Sequence, residues 1–215
     1  NTAGLSAITL MAGSNIDATG DFVAAAQHIT ASGTIKATGE VALIAAQDID
    51  LAINPGSPIG YTIKAGTTVG AAKLKADGTI DAKSIVLTGA GRRTVGTESD
   101  LLLEIGNTLT AATVGGKIFI GTETAVSNKI GGNNDAMKLV ANTTLKGGTI
   151  EIASNLDSDG TPRSLTITGD AKLGGRLGSG AALGSELTSL SVSGATNFVA
   201  AGTTALPSVK TVTTQ

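Results

Sequence analysis

The sequence predicts an all-β protein: a right-handed parallel β-helix (β-solenoid) of short strands joined by corner loops of variable length. Three observations lead there. Aliphatic residues recur on a period of two: Ile35, Ala37, Val41, Leu43 and Ala45 point one way, while Lys36, Thr38 and Glu40 point the other way or sit in corners. That period belongs to extended strand, not helix. Short units return along the chain as near-copies. Finally, aromatics are 2% of the 215 residues, Trp and Cys are absent, and there are 30 glycines but only 4 prolines. A globular core of this size leans on large aromatic side chains, whereas Ile, Leu, Val and Ala suit a narrow one. Hydrophobic residues at 41% argue against disorder. Strands of about three to five residues cannot persist alone, so each stretch needs the next one stacked on it.

The elements follow in order. Leu5, Ile8 and Leu10 lead into a corner at Gly13-Ser14-Asn15, followed by Ile16-Asp17-Ala18-Thr19-Gly20. That pentad returns as Ile35-Lys36-Ala37-Thr38-Gly39, in shorter form at Ile63–Gly66, and in its first three positions at Ile80-Asp81-Ala82. The triplet Gly-Thr-Ile recurs at Gly33–Ile35, Gly78–Ile80 and Gly148–Ile150, and Phe22–Ile29 reads as a degenerate copy of Leu43–Ile49. Two prolines in Asn54-Pro55-Gly56-Ser57-Pro58 cannot donate ladder hydrogen bonds, so a loop leaves the stack there. Softer patches at Gly89–Asp100 and Ser127–Asp135 flank the strands Leu101–Ile105 and Lys117–Ile120. Leu139–Ala141, Leu145 and Ile150–Ala153 continue the stack. Leu165-Thr166-Ile167-Thr168 and Leu190-Ser191-Val192-Ser193 are two copies of one unit, separated by the Gly/Ala-rich 174–184.

An antiparallel sandwich would show two-residue Asn-Gly or Asp-Gly hairpins. Only Asp77-Gly78 and Asp159-Gly160 qualify, so parallel coils about 4.8 Å apart fit better. At roughly 20 residues per coil, about ten coils are expected. The irregular spacing of the repeats fits coils that keep their inward residues and vary their corners.

Net charge is −2 and the only basic pair is Arg92-Arg93, so neither a basic face nor stacking aromatics point to nucleic acid. No apolar run is long enough to insert in a membrane. The chain opens on Asn1 without a signal peptide and closes at Thr213-Thr214-Gln215 with strand chemistry still running. It is therefore expected to be a segment of a longer protein.

The run Gly33-x-Ile35-x-Ala37-x-Gly39-x-Val41-x-Leu43-x-Ala45, followed by Asp48-Ile49-Asp50-Leu51, resembles filamentous-haemagglutinin-like adhesins of the two-partner secretion family. The stretch from Asn155–Gly160 through Arg163–Ile167 and Leu187–Leu190 to Thr213-Thr214-Gln215 resembles their distal repeats. Together these cover roughly two thirds of the chain. The resemblance implies one solenoid segment over 1–215, with haemagglutinin-like coils in 1–90, irregular looped coils in 91–135 and distal-type repeats in 136–215. It further implies a very long protein, secreted to or held on the surface of a Gram-negative bacterium, that acts in adhesion, matrix or fibre formation without catalysis. The implied partners are an outer-membrane secretion pore and a host or matrix glycan or protein receptor, with end-to-end self-association physically available. The family's secretion domain carries Asn-Pro-Asn where this chain has Asn54-Pro55-Gly56, which places the segment downstream of that domain or at its far edge.

No catalytic, cofactor or metal residue is expected, and each candidate has a plainer reading. Asn155-x-Asp157-x-Asp159-Gly160 has the spacing of half a calcium loop, but Thr166 stands where the bidentate Glu belongs. Gly131-Gly132-Asn133-Asn134-Asp135 lacks the tandem glycine spacing of a calcium nonapeptide. Gly178-x-Gly180-x-x-x-Gly184 imitates a dinucleotide fingerprint without the helix that it needs. His28 is the only histidine, Asp48 and Asp50 share an outward strand face, and Asn142-Thr143-Thr144 is the single glycosylation sequon. A polysaccharide-processing β-helix enzyme is the rival reading, and it requires paired carboxylates held close together beside Arg or Lys. A self-associating filament or sheath subunit is the other. Loops at Asn54–Gly60, Gly89–Asp100 and Ser127–Asp135 are expected to meet any ligand.

Overall fold

The computed structural model describes residues 6–46, 52–53, 61–62, 72–90, 101–121, 136–153, 155–174, 186–198 and 212–214. No helix occurs among them. The first pass of the chain contributes β1 (Ala7–Leu10), β2 (Asn15–Ala18) and β3 (Phe22–Ala26), and the second β4 (His28–Ala31), β5 (Thr34–Ala37) and β6 (Glu40–Ala46). Two short strands, β7 (Ala52–Ile53) and β8 (Tyr61–Thr62), precede the third pass of β9 (Ala72–Ala76), β10 (Thr79–Ala82) and β11 (Ser84–Ala90). Next come β12 (Leu101–Ala111), β13 (Lys117–Ile120) and β14 (Ala136–Ile152), the last a complete pass in itself. The remaining strands are β15 (Asn155–Ser158), β16 (Arg163–Leu173), β17 (Leu187–Val192), β18 (Thr196–Phe198) and β19 (Val212–Thr214).

These strands form three parallel ladders. The first runs β1–β4–β9–β12–β14–β15. The second runs β2–β5–β10–β12–β14–β16–β17–β19. The third runs β3–β6–β11–β13–β14–β16–β18. The fold is thus a parallel, solenoid-like stack. Its register brings together the copies read in the sequence: Ile16, Asp17 and Ala18 lie against Ile35, Lys36 and Ala37, and Ile35 and Lys36 against Ile80 and Asp81. Leu165-Thr166-Ile167 lies against Leu190-Ser191-Val192.

Three sequence expectations are corrected. The second ladder contains eight strands among the described residues, not the ten that a uniform coil would give. The extra length lies in the connections that follow third-ladder strands: residues 47–71, 91–100 and 121–135 lead to first-ladder strands, and 174–186 leads to β17 of the second ladder. The other corners are short, such as Ser32-Gly33, Thr38-Gly39 and Lys83. The triplet Gly148–Ile150 opens a third-ladder strand, since Thr149 pairs with Lys117, whereas Gly33–Ile35 and Gly78–Ile80 open second-ladder strands. Finally, Ala24 and Ala26 face Leu43 and Ala45, so matching Ala-Ala-Gln of Phe22–Ile29 to Ala-Ala-Gln of Leu43–Ile49 is out by one residue. In a strand that slip exchanges the two faces.

The proline-marked stretch Asn54–Pro58 lies outside the described residues, but the strands on either side of it are described. Its flanking strands β7 and β8 pair only with each other, antiparallel, Ala52 with Thr62 and Ile53 with Tyr61.

One aliphatic interior runs the length of the ladders. Ile29, Ile35, Val41, Leu43, Leu74, Ile80, Ile85, Ile105, Leu109 and Ile118 are among its buried members. The outward positions of the third ladder depart from the expected polar surface. Ala42, Ile44, Ala46, Val86 and Phe119 form a second buried cluster there, and Thr88 beside them is fully buried. Ala25 and Ala153 pack against this cluster, so these outward positions of β6, β11 and β13 are buried as deeply as the inward ones.

Elsewhere the outward rows alternate in sign. Parallel in-register stacking would place like charges a rung apart, which is unfavourable. Here Asp17, Lys36 and Asp81 follow one another in the second ladder. Lys75, Glu104, Lys138 and Asp157 do so in the first. In the third, Glu151 bridges Lys117 at 3.1 Å and Lys172 at 2.8 Å. Burial pushes the Glu151 carboxyl up, but the hydrogen bonds and charges of Lys172 and Lys117 outweigh it and hold the group below the usual range. A depressed carboxylate stabilises the fold above its ordinary pKa, and that contribution disappears as pH falls through the folded value. Glu151→Gln is accordingly expected to cost about 1 kcal/mol at neutral pH after solvent screening, and nothing in strong acid. Urea titrations at the two pH values check this.

Candidate functional site

The described residue cluster with the most chemical potential lies at the corner between the second and third ladders. A groove of about 400 Å³ is lined there by Gly20, Asp21, Thr38, Gly39, Glu40, Lys83 and Ser84. It arises directly from the repeat. Each of the first three passes ends its second-ladder strand, turns over one to three residues and starts its third-ladder strand. The residue after the turn glycine is Asp21 in the first pass and Glu40 in the second, and Lys83 occupies the turn of the third. Three charged side chains are thereby stacked on successive rungs.

The backbone holds this corner firmly. Gly39 N–H donates to the Gly20 carbonyl at 3.1 Å, and Lys83 N–H donates to the Gly39 carbonyl at 2.9 Å. Asp21 Oδ1 accepts the Glu40 N–H at 2.7 Å. A Cβ on residue 39 would run into that same Asp21 oxygen and the Gly20 backbone. Glycine at 39 is therefore what lets the carboxylate approach the turn.

Glu40 is half-buried, and its carboxyl is pushed up by burial and by the neighbouring charge of Asp21. The folded value lies above the unfolded one, so the fold favours the protonated form. Its contribution is fully present below the unfolded pKa and lost as pH rises through the folded value. Glu40→Gln is therefore expected to stabilise the chain by a few tenths of a kcal/mol at neutral pH and to change nothing in acid. Thermal melts at both pH values check the sign. Chemically, two carboxylates, an ammonium and the hydroxyls of Thr38 and Ser84 can hydrogen-bond a polar ligand, and no aromatic ring is among them for stacking.

Sequence reasoning missed this cluster, although its signal is present. Aligning Ile16–Gly20 with Ile35–Gly39 and Ile80–Ala82 puts Asp21, Glu40 and Lys83 next to the same corner. The candidates that were singled out fall elsewhere. Asp159 accepts from Arg163 Nε and Nη2, each at 3.1 Å, so its carboxylate closes a corner salt bridge. That Arg163 pair holds Asp159 below the usual carboxylate range. Asp157 faces outward on β15, opposite Lys138. His28 lies on the outer side of β4, opposite Ala7 and Lys73. Asn142 is exposed, and its Oδ1 accepts the Ser164 N–H at 3.0 Å. Asp48, Asp50, Arg92-Arg93, Gly131–Asp135, Gly178–Gly184 and the ligand loops Asn54–Gly60 and Ser127–Asp135 lie outside the described residues; of the expected loop Gly89–Asp100, residues 91–100 do too, whereas Gly89 and Ala90 are strand, the end of β11. Among the described residues no three His, Cys, Asp or Glu side chains are grouped to hold a metal ion. Among the described residues no helix is long and apolar enough to cross a membrane.

Fold and corner together define a parallel, solenoid-like β-stack with polar, charge-alternating outer rows. Compared with known proteins, the chain matches no family model, no curated protein and no solved structure.

Proposed function

We propose that the chain is a structural and adhesive segment, without catalysis of its own, of a large bacterial protein secreted to the cell surface. In this reading it is a right-handed shaft, the hand that parallel crossovers adopt almost without exception. It serves as an adhesin, matrix or fibre component of the filamentous-haemagglutinin-like kind, exported through an outer-membrane pore. The observation that carries the reading is the run of three parallel ladders that takes in every described strand from β1 to β19 except the β7–β8 pair. Continuous ladders around a narrow aliphatic core give stiffness and length with little chemistry on the described surface. The three ligand loops expected from the sequence all belong to connections at one corner, so their attachment points follow a single edge. Glycan and matrix-protein arrays test the role. Binding that persists in Glu40→Gln but is lost when residues 91–100 or 122–135 are replaced by short glycine linkers supports it. Binding that depends only on Glu40 contradicts it.

A second reading, a polysaccharide-processing enzyme, is favoured by the Asp21/Glu40 pair beside Lys83. Carboxylates with different environments are the raw material of acid/base catalysis on glycosidic bonds. Release of reducing ends from acidic or neutral polysaccharides, abolished by Glu40→Gln, would establish it. No release would leave the structural role.

A further inference from the structure

We propose that two copies of this chain lie side by side through the outer face of the first ladder, related by a two-fold axis that sets their stacks antiparallel. The inference goes beyond the adhesive role and rests on the ladder register alone.

The observation that carries it is one file of charges. Lys75, Glu104, Lys138 and Asp157 stand on consecutive rungs, in β9, β12, β14 and β15. All four are part-exposed, and successive rungs are about 4.8 Å apart. Among the described residues this is the longest unbroken alternation of sign. Asp17, Lys36 and Asp81 make three in the second ladder, and Lys117, Glu151 and Lys172 are three linked charges in the third.

Within one chain the alternation removes like-charge contacts between rungs. It also makes the file complementary to itself. A two-fold axis along the strands, midway between the β12 and β14 rungs, sets β9 of one copy opposite β15 of the other, and β12 opposite β14. Lys75 then faces Asp157 and Glu104 faces Lys138, each twice by symmetry, so every contact along the file joins opposite charges. Such an interface is isologous and closes at a dimer. Other alignments are penalised, because like charges brought together suppress the wrong arrangement. Copies set parallel at one level put Lys75 against Lys75 and Glu104 against Glu104. Sliding the antiparallel pair by one rung again lines up like with like. The neighbouring file raises no conflict, since Lys73 falls opposite the position of Asn155, which has no charge. Two members of the file are already held in place: Lys75 Nζ lies 3.0 Å from Asp77, and Glu104 lies 3.1 Å from Lys73 Nζ. Less side-chain freedom is then lost on pairing. Exposed ion pairs are individually weak and screened by salt, so the association is modest and salt-dependent.

Sedimentation velocity over a concentration series is expected to show a dimer in ~0.01 M salt that is at least tenfold weaker in ~1 M salt. Glu104→Lys and Lys138→Glu, each alone, should weaken the dimer at least tenfold, because each sets like charges opposite one another in two places. Mixing the two variants should restore it, since every contact in the mixed dimer again joins opposite charges. Lys146→Glu, exposed on the second ladder between Thr110 and Thr168, should leave the dimer unchanged. A spin label at Thr30→Cys, in an otherwise unsubstituted chain with no native cysteine, reports the arrangement whether or not the charge variants fold. Thr30 lies one rung before Lys75, so the two labels are expected five rungs apart, at roughly 25 Å, against about 10 Å for a parallel pair. A monomer at every concentration in low salt, no recovery on mixing, a loss with Lys146→Glu equal to that of the file variants, or a Thr30 distance near 10 Å would each overturn the proposal.

Discussion

Replacing Gly169 with alanine is expected to destabilise the chain by about 3–5 kcal/mol, enough to unfold a marginal segment. Gly169 is the one-residue turn between the second and third ladders in the sixth pass. Its φ is +132°, a region that L side chains rarely adopt, and a Cβ there would overlap the Gly147 carbonyl of the pass before. Gly194 of the next pass lies over it in turn, where a Cβ would meet the Gly169 carbonyl and the Asp170 N–H. The three form a column in which each turn sits close on the last, so a side chain at the middle one has nowhere to go. Two comparisons separate the causes. Gly160→Ala meets nothing within 4 Å but keeps a φ of +100°, so only backbone strain of about 1 kcal/mol is expected. Gly20→Ala meets nothing within 4 Å and has no such φ, so its cost should be close to zero. Denaturant midpoints that rank the three otherwise would contradict the close approach of successive turns.

Ile85→Asp is expected to abolish folding. Ile85 lies between Val41 and Ile118 in the central rungs of the third ladder, and all three are fully buried. An unpaired carboxylate there costs more than about 4 kcal/mol, whereas Ile85→Val should cost about 1 and Ile85→Ala about 2–5. The adjacent outward position discriminates further. On a plain solenoid Val86→Asp would be tolerated, yet Val86 is only 4% exposed within the second cluster around Phe119. Val86→Asp is therefore expected to cost more than about 3 kcal/mol. Lys36→Thr, at an exposed outward site of the second ladder, should cost under about 1 kcal/mol. Circular dichroism melts of the set report both interiors at once.

The parts of this architecture legible in the sequence are those that repeat. Ile16–Gly20 and Ile35–Gly39 could be matched by eye because stacked rungs share one environment, and the register pairs Ile16, Asp17 and Ala18 with their copies. The same logic found Leu165–Ile167 against Leu190–Val192. Alternation also told inside from outside at Ile35, Val41 and Leu43. It failed at the second buried cluster. Ala42 and Ile44 are as apolar as their inward neighbours, and periodicity alone does not say that a strand is covered on both faces. The corner cluster was missed for a different reason. Asp21, Glu40 and Lys83 are far apart in sequence and each is unremarkable alone, so only the 19-residue step from Phe22 to Val41 brings the two acids onto one corner. Corner lengths vary without disturbing the ladders, which is why a uniform coil overcounts the passes.

The claim on which the whole account depends is that residues distant in sequence lie on neighbouring rungs in one direction. Double-cysteine cross-linking measures it most directly, since the chain has no native cysteine and a disulfide needs Cα atoms within about 4.4–6.8 Å. Lys36→Cys combined with Asp81→Cys, and Lys36→Cys combined with Asp17→Cys, are both predicted to close rapidly under mild oxidation in the monomer. Lys36→Cys combined with Lys83→Cys is predicted to stay open. Failure of the first two pairs, or closure of the third in their place, would contradict the parallel stack.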